Sequence, residues 1–391
     1  MAKNAAKPTG KQKKQEDYGV AEIGVSEPMA APELPYLPRD PKTYRPAIGL
    51  IGCGGISEMH LRAYRAAHYN IVALCDVDPK RAEGRRQEFY SQAEVFTGYQ
   101  ELLDRDDIEV VDITTHPEVR GPIIEAAIHA GKHILSQKPF VIDLDEGDRL
   151  VDLARRRKVK LAVNQNGRWA PHFSYIRQAV TAGLIGRPIA AHLSVHWDHN
   201  WISDTPFNNV RHIALYDFGI HWFDMVACIM AGRTAESVYA TCTSSPSQKA
   251  QPPLLAQALI TYGDAQVSLA FDADTRFGAQ DRTFVAGTEG SISSVGPDYN
   301  QQSLTIYTAR GHGTPQLEGT WFTNGFHGTM AELLCAIEED RQPSNNAADN
   351  LDSLALCFAA VESAERGEPI RPGSVLALPA QTTATQFRKE G

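Results

Sequence analysis

A lysine, an aspartate and a histidine have the clearest capacity for chemistry in this 391-residue chain. Lys138 ends the run His133-Ile134-Leu135-Ser136-Gln137-Lys138-Pro139, an apolar strand closed by a proline that keeps the lysine out of helical geometry. Asp217 and His221 stand four residues apart in Tyr216-Asp217-Phe218-Gly219-Ile220-His221-Trp222-Phe223-Asp224, the spacing that puts two side chains on one helix face. A carboxylate beside an imidazole can orient it and stabilise its charged form, as a general base requires. Each residue also has a plain reading. Lys138 would be a surface lysine before a turn, Asp217 an N-cap, His221 a satisfied core histidine, and Asp224 a brace for its helix.

A second constellation lies upstream. Ile48-Gly49-Leu50-Ile51 reads as a strand, and Gly52-Cys53-Gly54-Gly55-Ile56-Ser57 as a glycine turn opening a helix. Ile71-Val72-Ala73-Leu74-Cys75-Asp76 reads as a second strand ending in an acid. This order of parts makes a dinucleotide site. Gly52 permits the tight turn, and Gly54 lets the backbone approach a pyrophosphate whose charge faces the amides at the helix start. Asp76, about 20 residues on, can bind ribose hydroxyls. Ser57 stands where the fingerprint has its third glycine. A carboxylate at position 76 repels a 2′-phosphate and favours NAD, while Lys80 and Arg81 just behind it leave NADP open.

These groups need a frame. From Ala47 to Asn164 strand and helix alternate, the signature of a doubly wound parallel sheet. Strands are expected at 47–51, 70–75, 94–96, 109–113, 133–136 and 160–164, with helices starting near Ser57, Pro79, Tyr99, Val119 and Leu144. Ligands bind at the carboxyl ends of the strands in such a sheet, which is where Lys138 falls. After Asn164 the pattern gives a helix at 171–182, a strand at 188–196 and a helix at 219–230. Strands follow at 236–243, 254–262, 266–272, 282–286, 303–308 and 317–322, then helices at 326–339 and 350–366. Strands without intervening helices imply a largely antiparallel sheet. The expected fold is therefore α/β: a Rossmann-type doubly wound parallel sheet over 46–165, then an α+β domain, 166–391, with a large open, mostly antiparallel sheet. Its bare face calls for the same face of a second subunit, in a homodimer or homotetramer.

Residues 1–45 differ from the rest. Lys3, Lys7, Lys11, Lys13 and Lys14 make a basic tail, and a proline-rich arm runs from Pro28 to Pro46. No run there is apolar and long enough for a signal peptide or membrane span. The net charge of −9 argues against a general nucleic-acid binder. Cysteines at 53, 75, 228, 242, 335 and 357 form no Cys-x-x-Cys pair, so neither a structural zinc site nor a disulfide framework is suggested. Buried thiols in a reducing, cytoplasmic compartment are expected.

A polar and aromatic cluster follows the first sheet. It comprises Asn164-Gln165-Asn166-Gly167-Arg168-Trp169, His196-Trp197-Asp198-His199-Asn200-Trp201 and Arg211-His212. Aromatic faces stack on sugar rings while the polar groups bond hydroxyls, a mix that suits a carbohydrate or polyol. The tryptophans equally suit a core or a subunit contact. His196 and His199 have the spacing of a metal pair but no further ligands, so no metal is expected.

Taken together, these motifs resemble the glucose-fructose oxidoreductase/inositol dehydrogenase (Gfo/Idh/MocA) family, from about Ala47 to about Pro372. The family's Ala-Gly-Lys-His before the fifth strand is matched by Ala130-Gly131-Lys132-His133, and its Glu-Lys-Pro by Gln137-Lys138-Pro139. Its Asp-x-Gly-x-His-x-x-Asp pattern is matched by Asp217 to Asp224. Two departures are Gln137 for glutamate and Arg120 where a histidine is frequent. The resemblance implies hydride transfer between NAD and a secondary hydroxyl or ketone of a sugar or polyol. His221 would take the hydroxyl proton, Lys138 would hold the oxygen, and Asp217 would tune His221 or hold a neighbouring hydroxyl. The cofactor contacts expected are Gly52, Cys53, Gly54, Gly55, Ile56, Ser57, Asp76, Thr114, Thr115, His116, Gln137, Lys138 and Arg168. Those expected for substrate are Lys138, Arg168, Trp169, His199, Trp201, His212, Asp217 and His221. Two other activities exist among such proteins. One is glycosidic cleavage or dehydration through transiently reduced bound NAD, and the other is nucleotide sensing without catalysis; intact Lys138, Asp217 and His221 argue against the sensor.

Overall fold

The computed structural model describes residues 26–378. The five lysines of the basic tail lie outside the described residues. The first sheet is built from β1 (Ala47–Ile51), β2 (Asn70–Cys75), β3 (Glu94–Phe96), β4 (Ile108–Ile113), β5 (His133–Gln137) and β6 (Leu161–Asn164). All pairs are parallel, in the order β3-β2-β1-β4-β5-β6. The helices are α1 (Ser57–Ala66), α2 (Pro79–Phe89), α3 (Tyr99–Leu103), α4 (Pro117–His129) and α5 (Leu144–Arg157). Strand order reverses between β1 and β4, which opens a crevice at their carboxyl ends.

Local chemistry sets these boundaries. Asp78 caps α2 by accepting from Lys80 N, with Pro79 in the first turn, and Asp143 caps α5 by accepting from Glu146 N. The fourth helix starts at Pro117, earlier than expected, because a proline is well placed in a first turn that needs no amide donor.

The second sheet has eight strands: β7 (Pro188–His196), β8 (Ser237–Thr243), β9 (Leu255–Tyr262), β10 (Ala265–Asp272), β11 (Gln280–Gly287), β12 (Gly290–Gly296), β13 (Ser303–Thr308) and β14 (Gly311–Gly313). Their order is β14-β13-β12-β11-β7-β10-β9-β8, and only β7 and β10 pair in parallel. Helices α6 (Pro171–Thr181), α7 (Ile220–Ile229), α8 (Trp321–Glu338) and α9 (Ala347–Arg366) complete the fold. Along β9, Ala256, Ala258 and Ile260 are buried while Gln257, Leu259 and Thr261 are exposed, so one face is covered and the other bare. The bare face carries Tyr239, Leu259, Phe284 and Tyr307, each 40–55% exposed.

The expected strand at 317–322 does not form. Gly319 takes φ +95°, which breaks an extended run, and Trp321 opens α8 with Phe326, Met330 and Leu333 buried at helical spacing. Strand β12 escaped notice because serines occupy positions 291, 293 and 294, leaving a weak apolar alternation.

Both edges of this sheet are covered by the chain itself. Residues 27–29 pair with β14 through Met29 N to His312 O at 2.8 Å and His312 N to Glu27 O at 2.8 Å. Val238 of β8 exchanges 2.8 Å hydrogen bonds with Ile370. The proline-rich arm then crosses its own chain. Tyr175 Oη donates to Pro32 O at 2.8 Å, Ser174 Oγ to Tyr36 O at 2.6 Å, and Glu338 accepts from the amides of Lys42, Thr43 and Tyr44. Among the described residues no helix is long and apolar enough to cross a membrane.

Candidate functional site

The glycine turn lies over the carboxyl end of β1. Gly52 sits at φ +102°, and a Cβ there would meet Thr115 N at 3.0 Å, so the turn packs directly on the segment after β4. Thr114 Oγ1 donates to Gly52 O and fixes that approach. Around Gly54 and Gly55, by contrast, an added Cβ would find nothing within 4 Å. The loop thus presents bare backbone to open space beside the start of α1, where helix amides favour an anion. Ser57 fills the third-glycine position without crowding: its hydroxyl donates to Gly54 O at 2.6 Å, and Arg85 Nε reaches that hydroxyl at 3.2 Å.

Asp76 is nearly buried at the end of β2. Its Oδ2 accepts from Cys53 N at 2.7 Å and its Oδ1 from Asp78 N at 2.9 Å. Each oxygen keeps lone-pair capacity for a hydroxyl, and the carboxylate cannot rotate away. Arg81 pairs with Asp78 at 3.6 Å, and Arg85 is held by Glu58 and Glu88. Arg81 and Arg85 are therefore already engaged, an arrangement that suits a ribose more than a 2′-phosphate.

Lys138 follows β5 and precedes a cis peptide to Pro139. Its Nζ donates to Asp217 O at 2.9 Å and pairs with Asp217 Oδ1 at 3.2 Å. Its main-chain N donates to Gln137 Oε1 at 2.7 Å. That oxygen also accepts from Asn164 Nδ2 at 3.0 Å, while Gln137 Nε2 faces His60 Nε2 at 3.4 Å. His60 Nδ1 and Tyr64 Oη both reach Asp112 Oδ2 at 2.7 Å. Where the family has a glutamate, the Gln137 amide thus supplies both an acceptor and a donor to a buried polar network.

The Asp217 segment is not the simple helix that its spacing suggests. Residues Ala214–Phe218 form a π-helix, with Phe218 N bonded to Ile213 O and Gly219 N to Ala214 O, both at 3.0 Å. A π-turn advances by more than 3.6 residues, so a four-residue spacing no longer guarantees one face. Asp217 pairs with Lys138 and makes no hydrogen bond to His221. The His221 ring instead packs edge-on against Trp321, centroids 5.5 Å apart, and its Nδ1 is buried without a partner. Burial, and then the nearby Lys138 charge, hold its pKa well below the usual histidine value, so the imidazole is neutral at pH 7.

An aromatic wall borders this pair. His199 stacks on Trp197 at 5.4 Å and touches Phe218 at 4.3 Å, and burial pulls its pKa down to about 4. Trp201 stands 54% exposed beside His199 and Phe218. His196, three residues before His199, lies on the opposite sheet face paired with Asp272 at 2.8 Å, so the two histidines diverge. Among the described residues, no three His, Cys, Asp or Glu side chains gather as metal ligands.

Three expected contacts lie elsewhere. Arg168 is buried in a two-pronged pair with Asp224, both bonds 2.6 Å, and its remaining amino group donates to Ser344 O. Each of its three nitrogens is engaged inside the protein. Trp169 is 7% exposed and lies on Gly328, where a Cβ would come within 2.2 Å of the indole, with Arg177 5.1 Å over its ring. His212 is tied to Glu365 of α9. Each was drawn from a polar-aromatic cluster that mixes site groups with groups that hold the fold.

Other residues at the site lie outside the contacts expected from sequence. Trp321 bonds Asn166 Oδ1 through Nε1 at 2.8 Å and touches His221, Trp222 and Tyr299. It comes from a segment more than 150 residues downstream of Asn166, with no local motif. Gln165 follows β6 beside Lys138, since Gln137 and Asn164 are register partners, and both its amide atoms are buried without a partner. In sequence Arg120 stands out only as a departure from the family's frequent histidine. It is fully buried on the apolar face of α4, and a cation in an apolar stripe is a signal legible in sequence. An NAD molecule fits what is present: the open backbone at Gly54 and Gly55, the fixed Asp76 carboxylate, and unpartnered Thr115 Oγ1 and Gln165 along one sheet edge.

The sequence matches two family models. Residues 47–165 match the oxidoreductase family, NAD-binding Rossmann fold, and residues 173–293 match the GFO/IDH/MocA C-terminal domain. It is 28% identical over 356 residues to a D-apiose dehydrogenase of Paraburkholderia graminis, covering 86% of this chain and 92% of that one. To an inositol 2-dehydrogenase of Rhizobium meliloti it is 26% identical, covering 81% and 96%. The fold is shared with a crystal structure of an oxidoreductase from Agrobacterium radiobacter in complex with NAD+, L-tartaric acid and magnesium. That similarity has TM-score 0.75 at 23% identity and covers 85% of this chain and 100% of that one.

Proposed function

Because the chain belongs to the GFO/IDH/MocA oxidoreductase family, we propose that its crevice oxidises a secondary hydroxyl of a sugar or polyol, or reduces the matching ketone, with NAD. The observation that carries this reading is the pairing of a cation with a neutral base: Lys138 held by Asp217, with unprotonated His221 close enough to feel its charge.

Each residue has a distinct task. The glycine turn, Asp76 and the 114–116 segment bind the cofactor, whose nicotinamide accepts or supplies hydride. Lys138 binds the substrate oxygen and offsets the negative charge that grows on it. Neutral His221 takes the hydroxyl proton during oxidation and returns it during reduction. Asp217 keeps the ammonium aimed at that oxygen. His199 and Trp201 give a sugar ring an aromatic surface with polar edges. Residues 46–165 act as the nucleotide domain and 166–378 as the substrate domain. The bare face of the second sheet joins two copies, and the scattered free cysteines suit a cytoplasmic setting.

The test is a panel of sugars and polyols with NAD and NADP, following reduced cofactor. Steady NADH formation from one free polyol is expected. Cofactor that stays bound, with no net NADH from any of them, would sink the reading.

A further inference from the structure

Arg120 is a buried cation without a carboxylate partner. It is 1% exposed, and its hydrogen bonds all go to main-chain carbonyls. Nε donates to Thr115 O at 3.1 Å, and the amino groups reach Thr115 O, Gln137 O and Pro139 O. Burial draws its pKa down to about 10, so it is still charged at neutral pH, with Asp112, Glu118 and Tyr216 nearby. An isolated buried guanidinium is costly, and an apolar side chain would fill the same place more cheaply. What the arginine supplies is geometry. A planar fork of donors can hold several acceptors at fixed angles, which a flexible ammonium cannot.

The three carbonyls are not arbitrary. Gln137 and Pro139 bracket Lys138 on either side. Thr115 lies in the segment that packs against Gly52 and leads to His116, the N-cap of α4. One guanidinium therefore stitches the turn after β4 to the turn after β5, the two places where cofactor and substrate meet. We propose that Arg120 is a positioning residue of the active site, which sets Lys138 relative to the cofactor-facing 114–116 segment. This rests on the NAD-dependent reading above. It adds a residue that touches neither ligand and yet controls both binding and turnover.

The experiment compares Arg120→Ala and Arg120→Lys with the parent enzyme, with and without added guanidinium ion at concentrations far below denaturing. Three quantities are read: the NAD dissociation constant from quenching of tryptophan fluorescence, kcat with a working polyol, and the circular dichroism spectrum. A misplacement of about 1 Å costs roughly 100-fold in rate, so kcat should fall by about that factor in Arg120→Ala. NAD should bind several-fold more weakly, and guanidinium, but not methylammonium, should recover at least tenfold of the rate and most of the binding. Arg120→Lys should stay impaired with an unchanged spectrum. Rate and binding within threefold of the parent, or a folded Arg120→Ala variant that guanidinium cannot rescue, would overturn the proposal. Failure of both variants to fold would overturn it too, because Arg120 would then serve the fold rather than the site. A parent enzyme that binds NAD but turns over no polyol would count against the substrate reading alone, and NAD binding with its rescue would still decide the role of Arg120.

Discussion

The Lys138 ammonium bonds the same residue twice, taking both the main-chain oxygen of Asp217 at 2.9 Å and its carboxylate Oδ1 at 3.2 Å. The double contact ties the end of β5 to the π-helix before α7. On the proposed reading it also separates the roles of the two acid–base groups. Asp217 is committed to the cation, and His221 beside it is left uncharged.

Replacing Lys138 by alanine should cut kcat by about 10²–10³, the usual loss when one group that stabilises developing oxyanion charge is removed. Asp217→Asn should lose less, because the main-chain contact remains. Steady-state kinetics on both variants checks the order, and equal losses would contradict it.

The pH profile follows from His221. Its folded pKa lies well below 6.5, so the base is ready throughout the neutral range, and the acid limb of kcat/KM for oxidation should fall below pH 6.5. His221→Asn should lower kcat by about 10²–10⁴. An acid limb centred above pH 6.5 would show that another group is the base.

Arg168 and Asp224 should matter for stability rather than for substrate affinity. The pair is 4% and 1% exposed, and Ser353 Oγ adds a 2.9 Å bond to the carboxylate. Arg168→Ala strands a buried carboxylate and should cost about 3–5 kcal/mol in denaturant unfolding. Normal stability with a raised KM would return Arg168 to the binding site.

Asp281 on β11 is fully buried, and neither carboxylate oxygen has a partner. Burial, and then Asp298, push its pKa up to about 7. The folded state therefore keeps a proton that the unfolded chain releases near pH 4, so this group costs stability as pH rises from about 4 to 7. Asp281→Asn should stabilise the protein by about 2–4 kcal/mol at pH 8 and by little at pH 4. Thermal unfolding at the two pH values tests it, and a gain that is the same at both would refute it.

On the proposed reading that the bare sheet face joins two copies, Phe284→Asp with Leu259→Lys should shift that assembly toward monomer without loss of secondary structure. Light scattering reads the outcome, and an unchanged mass would move the interface elsewhere.

Much of this was legible in the sequence where the signal is local. The glycine turn, Asp76 and Lys138 sit at strand ends marked by apolar runs and by glycine or proline, and the structure places the strands there. The partner of Asp217 was not legible. The choice between His221 and Lys138 turns on a π-helix, and its extra residue per turn leaves no mark in hydrophobic periodicity. Nor was the division of the aromatic cluster. Trp169 is covered by Gly328 of α8, about 160 residues away in sequence, which no short motif records.

Each border of the second sheet is met by a segment of its own chain. Residues 27–29 lie along β14 and Ile370 bridges Val238 near the start of β8, so at these places the backbone groups are already paired. On the proposed reading, contact between two copies uses the flat side of that sheet. Two like surfaces laid together use each other up, so such a union saturates at a pair instead of propagating as a filament.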